Sequence, residues 1–252
     1  KMVERRPPMR GNMRGRGSDR RDQKPRSKAE IEKAREERLK EQQAKELEDW
    51  RPVTALGKQV KAGKVKDIDE ALAKKILEPA IVDTLIKTKE EILNIGQAKG
   101  KFGGGKRRAW RQTQRKTKEG NVATFSCMAV VGSPGYVGLG YGRAKETLPA
   151  RAKAVRKAKL NLAKIKLSCA SFDCTCGEPH TVPFIVEGKT GGARVKLMPA
   201  AQGTGLVAGD ELKKILRVAG IKDVYSVTQG KKRTTLNMAK ALIDALSKTM
   251  EM

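Results

Sequence analysis

Aromatic side chains account for only 4% of this 252-residue chain, and histidine occurs once. Acidic residues are also scarce, with 28 Asp and Glu against 55 Lys and Arg, a formal charge of +27. No apolar stretch is long enough to span a bilayer and no secretory apolar region is visible, so the expectation is a cytoplasmic protein without a membrane partner. Four cysteines, three of them crowded together, do not form the pattern of a secreted disulfide framework; a reducing compartment and a metal fit better. One histidine leaves few options for a general base, which argues against acid–base catalysis. Hydrophobic content of 38% supports a core in part of the chain but not in all of it. Because the chain starts at Lys1, its natural N-terminus is expected to lie further upstream.

The excess of positive charge is what is present. A compact domain at this charge repels itself unless a polyanion neutralises it, and nucleic acid is the obvious one. Residues 1–28 are rich in Arg, Gly and Pro and read as an RNA-tracking arm. Residues 29–48 read as a charged helix with a thin apolar stripe, so that 1–48 form an arm and helix. In 49–106, Ile68, Leu72 and Ile76, then Ile81, Val82, Leu85 and Ile86, predict a small helical extension, followed by a Gly/Lys-rich connector. Residues 96–118 carry nine Lys or Arg and no acid, with Phe102 and Trp110 interleaved, a composition suited to phosphate contact and base stacking. Arg107, Arg108, Arg111, Arg115, Lys116 and Lys118 are the densest RNA-binding candidates.

A first strand is expected over 107–116, although "RRAWRQTQRK" carries almost no aliphatic residue. "VATFSCMAVV" reads as a second strand with Phe125, Cys127, Ala129 and Val131 on one face, making Cys127 a small core residue. In the third strand, "YVGLGYG", glycines 138, 140 and 142 mark the close approach of another backbone, for which RNA is one candidate. A helix is predicted from about Pro149 to Ile165, its buried side lined by Val155, Ala158, Leu162 and Ile165. Arg143, Lys145, Lys153 and Lys157 make this helix and its entrance basic. The second unit reads strand, strand, helix, strand, helix, with Asp210 as a cap, Gly220 as a stop, and a basic loop carrying Lys231, Lys232 and Arg233.

Between the units lies "CASFDCTCGEPH", with the spacing Cys169-x4-Cys174-x-Cys176-x3-His180. Three thiolates and one imidazole complete a tetrahedral zinc shell with no open position, the structural type. The alternative is three reduced cysteines in a connector, with His180 hydrogen-bonding RNA or backbone. A zinc deaminase is disfavoured, because Glu178 precedes His180 and no Pro-Cys-x-x-Cys occurs. Few large apolar residues, mainly Leu167 and Phe172, are available to hold this connector, and a metal clasp here would set the angle between the two domains.

"RVKLMPAAQGTGLVAGDELKKILRVAGIKDVYS" resembles the C-terminal domain of the small-subunit ribosomal protein S-five family, and "VVGSPGYVGLGYGRAKE" resembles its N-terminal signature. "DWRPVTALGKQVKAGK" and "CGEPHTVPF" are similar to the archaeal and eukaryotic branch, and the crowded cysteines to the archaeal form. The resemblance implies an α+β fold: a double-stranded-RNA-binding-like domain at 107–166, a Cys/His connector at 167–181 and an S-five C-terminal α/β domain at 182–252. It implies a structural constituent of the small ribosomal subunit, bound to ribosomal RNA beside the S-four and S-eight proteins and near the channel by which mRNA enters. In such proteins the hairpin loop, here "KTKEGN" from Lys116 to Asn121, influences decoding accuracy. The alternative function is an RNA-binding assembly factor or RNA chaperone acting off the ribosome.

Overall fold

The computed structural model describes residues 47–97 and 107–250, together with Glu41 and Lys45. Of the helix expected at 29–48, Glu41, Lys45, Leu47 and Glu48 are described and are helical; the arm at 1–28 lies outside the described residues. Residues from Trp50 onward form one compact unit.

Three short helices lead in. They are α1 (Ala55–Lys61), α2 (Ile68–Ala73) and α3 (Pro79–Leu85). Thr54 caps α1, its hydroxyl accepting from the Gly57 N–H at 3.0 Å, and Pro79 opens α3 at a position where its missing N–H costs nothing. Glu78 ties the incoming chain down by accepting from the Trp50 indole and from the backbone N–H groups of Val53 and Thr54. Their apolar faces form a cluster around the fully buried Ile81 and Val82.

The stretch expected as a small helical extension also supplies a strand, β1 (Lys89–Leu93). It pairs antiparallel with the C-terminal half of β3 (Gly120–Ser133), while β2 (Arg111–Thr117) pairs with the N-terminal half. Two strands therefore share one edge of β3 in tandem. This explains why the segment expected as the first strand lacks aliphatics: Ile92 and Leu93 of β1 occupy the core register, and β2, starting at Arg111 rather than 107, is a largely exposed ribbon. β4 (Tyr136–Ala144) and β5 (Leu162–Lys164) complete an antiparallel sheet.

Helix α4 covers one face and spans Thr147–Leu160, shorter than expected at its C-terminal end; Leu162 and Ile165 are buried, but in β5 and just beyond it. The backbone approached by Gly138, Gly140 and Gly142 is that of α4, not RNA. A Cβ at these positions would overlap the carbonyl oxygens of Ala158, Ala154 and Ala150. Ala150, Ala154 and Ala158 form the facing stripe at i, i+4 spacing. Trp110 also packs here, beside Cys127 and Ala129, so it is a core contributor rather than a stacking platform; Phe102 lies outside the described residues. Lys159 is held in the same layer by Asp83 at 2.9 Å and Glu90 at 3.0 Å. Burial alone would lower its pKa, but these two carboxylates outweigh it and raise it.

The second sheet has the order β6 (Val186–Thr190), β7 (Ala193–Pro199), β9 (Val224–Gly230), β8 (Leu206–Val207), with β8 parallel to β9. Helices α5 (Asp210–Ala219) and α6 (Thr235–Ser247) pack on it, and Gly188 meets the α6 backbone at Ala241 and Ala245 as the β4 glycines meet α4. Gly209, not Asp210, occupies the N-cap of α5; Gly220 ends the helix in the left-handed region, as expected.

Both sheets feed one apolar core. Leu93, Met128, Val130 and Val137 of the first cluster with Val195, Leu197, Leu216 and Leu242 of the second. Polar contacts reinforce this seam. Glu211 accepts from the Asn94 backbone and side chain at 2.8 Å each, and the Gly135 N–H donates to the Ala219 carbonyl. The shared core and these hydrogen bonds hold the two sheets against each other. Among the described residues, no helix is long and apolar enough to cross a membrane.

Candidate nucleic-acid interface and metal cluster

The β2–β3 ribbon carries the first candidate site. Register pairs Arg111 with Ser126 and Arg115 with Val122, so these arginines lie on the sheet face opposite α4, and Lys116 pairs with Asn121 on the other. Lys118 and Glu119 form the two-residue turn between Thr117 and Gly120. Gly120 has φ +115°, as expected of a position that closes such a turn, and the Thr117 hydroxyl donates to its carbonyl at 2.8 Å. A face-sharing network runs inward from the ribbon: Arg143 donates to the Thr124 hydroxyl at 3.0 Å, which lies 2.8 Å from that of Thr113.

The structure does not collect all candidates on one surface. Arg143 shares the Arg111 and Arg115 face, whereas Lys153 and Lys157 stand exposed on α4, across the sheet. Lys145 is in the bend before α4, and Lys231, Lys232 and Arg233 form the exposed loop between β9 and α6. Arg108 is exposed; Arg107 is half-buried and donates to the Thr235 hydroxyl at 2.7 Å. Among the described residues none of these cations has a carboxylate partner, while Lys159, Lys164, Lys196, Lys214 and Lys248 all do. The paired lysines are compensated within the fold, whereas the candidate set, exposed apart from the half-buried Arg107, is left without a carboxylate partner among the described residues.

The connector folds into a closed loop. Ser168 and Thr181 exchange backbone hydrogen bonds of 2.9 Å in both directions and pinch its base, and the Cys174 N–H donates to the Ser171 carbonyl. The ligand atoms of Cys169, Cys174, Cys176 and His180 all lie within 4.8 Å of one another. Cys174 Sγ is 3.2 Å from Cys176 Sγ and 3.4 Å from His180 Nε2, and Cys169 Sγ is 3.5 Å from Cys176 Sγ. A tetrahedral zinc with Zn–S of about 2.3 Å and Zn–N of about 2.0–2.1 Å has S···S edges of about 3.8 Å and S···N edges of about 3.6 Å. Three of the six edges are a few tenths of an ångström shorter than in that shell, and all six lie within 4.8 Å, so the residues fit a four-coordinate metal ion after small side-chain adjustments.

The electrostatics agree. Backbone N–H groups of Cys176 and Gln202, with the Cys176 side chain, lower the Cys174 pKa to about 6. Its thiolate in turn pushes Cys176 up to about 11. Three sulfurs this close cannot all ionise without a cation among them. By contrast, Cys127 is buried beside α4, and burial raises its thiol, which suits a core residue.

His180, 2% exposed, is oriented by a residue that the sequence does not signal. Its Nδ1 is 2.9 Å from Asp223 Oδ2, close in distance without the alignment of a well-formed hydrogen bond and, among the described residues, with no other polar partner. The other Asp223 oxygen accepts from the Gly205 N–H at 2.8 Å, and the His180 carbonyl accepts from the N–H groups of Lys222 and Asp223. A carboxylate behind a histidine whose other nitrogen faces thiolates is the usual support of a metal-bound imidazole. Asp223 also links the cluster to the Gly203–Gly205 turn, where both glycines have positive φ.

Comparison with known proteins places the chain. The model of "ribosomal protein S5, N-terminal domain" matches residues 109–166, and that of "ribosomal protein S5, C-terminal domain" matches residues 188–252. Small ribosomal subunit protein uS5 of Nanoarchaeum equitans is 47% identical over 206 residues, covering 80% of this chain and 88% of that protein. The protein of the same name from Pyrobaculum islandicum is 47% identical over 208 residues, 81% of this chain and 96% of its own length. That of Picrophilus torridus is 46% identical over 207 residues, 81% and 87% respectively. With this coverage, two domain models in order and a fold that accounts for both signatures, the chain belongs to the uS5 family of small ribosomal subunit proteins.

Proposed function

We propose that the chain is a structural constituent of the cytoplasmic small ribosomal subunit and binds its ribosomal RNA; it is not an enzyme. The observation that carries this reading is the set of exposed, carboxylate-free cations along β2, its turn and the β9–α6 loop, in a chain whose relatives are named for the small subunit. Arg107, Arg108, Arg111, Arg115, Lys116 and Lys118 meet phosphate, with Asn121, Arg143, Lys145, Lys153, Lys157, Lys231, Lys232 and Arg233 as further contacts. Each phosphate neutralised contributes a slope of about −0.7 to −0.9 in log affinity against log salt. Converting Arg111, Arg115, Lys116 and Lys118 to Glu is expected to flatten that slope and to exclude the protein from small subunits on sucrose gradients. Incorporation at the wild-type level overturns the assignment. Wild-type protein that stays off the subunits at moderate salt would favour the assembly-factor reading.

The finer placement is also a proposal. The chain sits beside the S-four and S-eight proteins and near the channel by which mRNA enters, with the Lys116–Asn121 turn supporting decoding accuracy. A β-branched residue resists the positive φ of Gly120, while the space around it is open, so Gly120→Val distorts the turn without disturbing a packed neighbour. The expected result is altered misreading or initiation, with a loss of stability of about 1–2 kcal/mol for one strained residue. A misreading reporter and an initiation assay both at wild-type levels, in subunits that contain the variant, would remove this role.

The Cys169, Cys174, Cys176 and His180 cluster holds zinc in a structural role. Bound there, the ion would cross-link the connector and anchor it through His180 and Asp223 to β9; all four positions are protein ligands, leaving none for a reacting water.

A further inference from the structure

Two basic segments that are remote in sequence converge on one cavity at the seam of the two sheets. Arg107 reaches Thr235, 128 positions away, and donates to its hydroxyl at 2.7 Å; Thr235 in turn lies 3.5 Å from the Asn94 carbonyl. Around this contact is a depression of about 300 Å³ lined by Gly96, Gln97, Arg107, Arg111, Arg233 and Thr235, with Ile95, Thr234 and Leu236 completing it. Among the described residues its lining has three arginines and no acid. An adjoining depression of about 630 Å³ shares Arg107, Arg233 and Thr235 and adds Lys232. Its acids are Asp210 and Glu211, and Glu211 is already held by Asn94 and Lys214.

Three guanidinium groups crowded without an anion repel one another, and none of them has a carboxylate partner among the described residues. Thr234 is the N-cap and Thr235 and Leu236 the first residues of the 13-residue helix α6, which its N-cap side chain does not cap, so its positive end adds to the field.

We propose that this cavity seats one RNA backbone phosphate, gripped from one side by Arg107 and Arg111 and from the other by Arg233 at the entrance of α6. This deepens the ribosomal RNA-binding reading and rests on it. A single phosphate held by both sheets makes RNA the clamp across the seam, in addition to the apolar core. A backbone phosphate suits the site better than a free nucleotide. Among the described residues no aromatic side chain lines it to stack a base, and the basic track continues along the same face of β2 to Arg115.

The experiment is a double-mutant cycle on the full chain, measuring affinity for transcribed small-subunit ribosomal RNA. The arms are Arg107→Gln/Arg111→Gln, Arg233→Gln, and all three together. Groups that share one partner couple, so the combined loss should fall short of the product of the separate losses by at least about twofold. Losses that simply multiply overturn the shared seat and leave RNA binding intact. Absence of salt-sensitive binding by the wild type would instead defeat the RNA reading itself. If removal of the Arg107–Thr235 hydrogen bond prevents folding, the cycle between the exposed Arg111 and Arg233 gives the same test. ATP or inorganic phosphate that displaces the RNA at micromolar concentration, at constant ionic strength, would make this a small-anion site and overturn the proposal.

Discussion

Gly140→Ala should cost the purified protein about 3 kcal/mol or more and shift its urea midpoint accordingly, although it adds one methyl group. The new Cβ would overlap the Ala154 carbonyl oxygen and the Ala158 N–H, both backbone atoms of α4. Backbone cannot rotate aside as a side chain can, so α4 must lift from β4 along its length. Lifting it separates Ala150 from Gly142 and Ala158 from Gly138, and opens the layer that buries Cys127, Ala129 and Trp110. Overpacking of a tight core costs about 1–3 kcal/mol and more where the obstacle is rigid. Domains of this kind have about 5–15 kcal/mol in total, so this is a large fraction. Gly192→Ala is the control: the same methyl is added where the nearest atom, on the Lys231 side chain, is 4.0 Å away, and the expected change is within about 0.5 kcal/mol. Equal midpoints for the two variants would show that α4 does not lie this close to β4.

The same glycines show what the chain discloses and what it withholds. Their alternation in "YVGLGYG" discloses that another backbone comes close, but not whose; the answer depends on the alanine stripe of α4, whose spacing becomes informative only once the helix is docked. Cys127 was legible because period-two alternation is local. Gly120 and Gly220 were legible because a turn and a helix end impose their own φ. β1 was not, since "KEEIL" has one β-branched residue and follows a helical pattern; it becomes a strand because half of β3 lacked a partner. Trp110 looked like a stacking residue amid arginines, yet it packs in the apolar cluster of Cys127 and Ala129 on the neighbouring strand β3. The four sulfur and nitrogen donors lie within one short loop, so spacing alone brought them together, whereas Asp223 and the Arg107–Arg233 convergence arise from tertiary closure.

Asp223 is therefore the sharpest test of the metal cluster. Purified protein, or subunits containing it, should hold one zinc ion per chain, and Cys174→Ser/Cys176→Ser should abolish that zinc. These two changes remove half the shell, so the result identifies the ligands but not their support. Asp223→Asn keeps the size and the acceptor for the Gly205 N–H, while removing the charge opposite His180 Nδ1. Loss of such a supporting carboxylate weakens metal binding about 10- to 100-fold. The variant should thus be folded and zinc-replete at high metal, and should lose zinc to a chelator at a 10- to 100-fold lower concentration than wild type. Stability should follow by mass action. Zinc at about a thousand times its dissociation constant contributes about 4 kcal/mol, so chelation should lower the wild-type melting temperature by about 8–16 °C for a unit of this size. If the cysteines and histidine merely pack as a reduced loop, neither zinc content nor melting temperature will respond to chelator, and Asp223→Asn will behave as an ordinary buried polar substitution with no metal dependence. The two outcomes separate on one titration, because only a metal makes the effect of a residue four positions past Ala219 depend on a chelator.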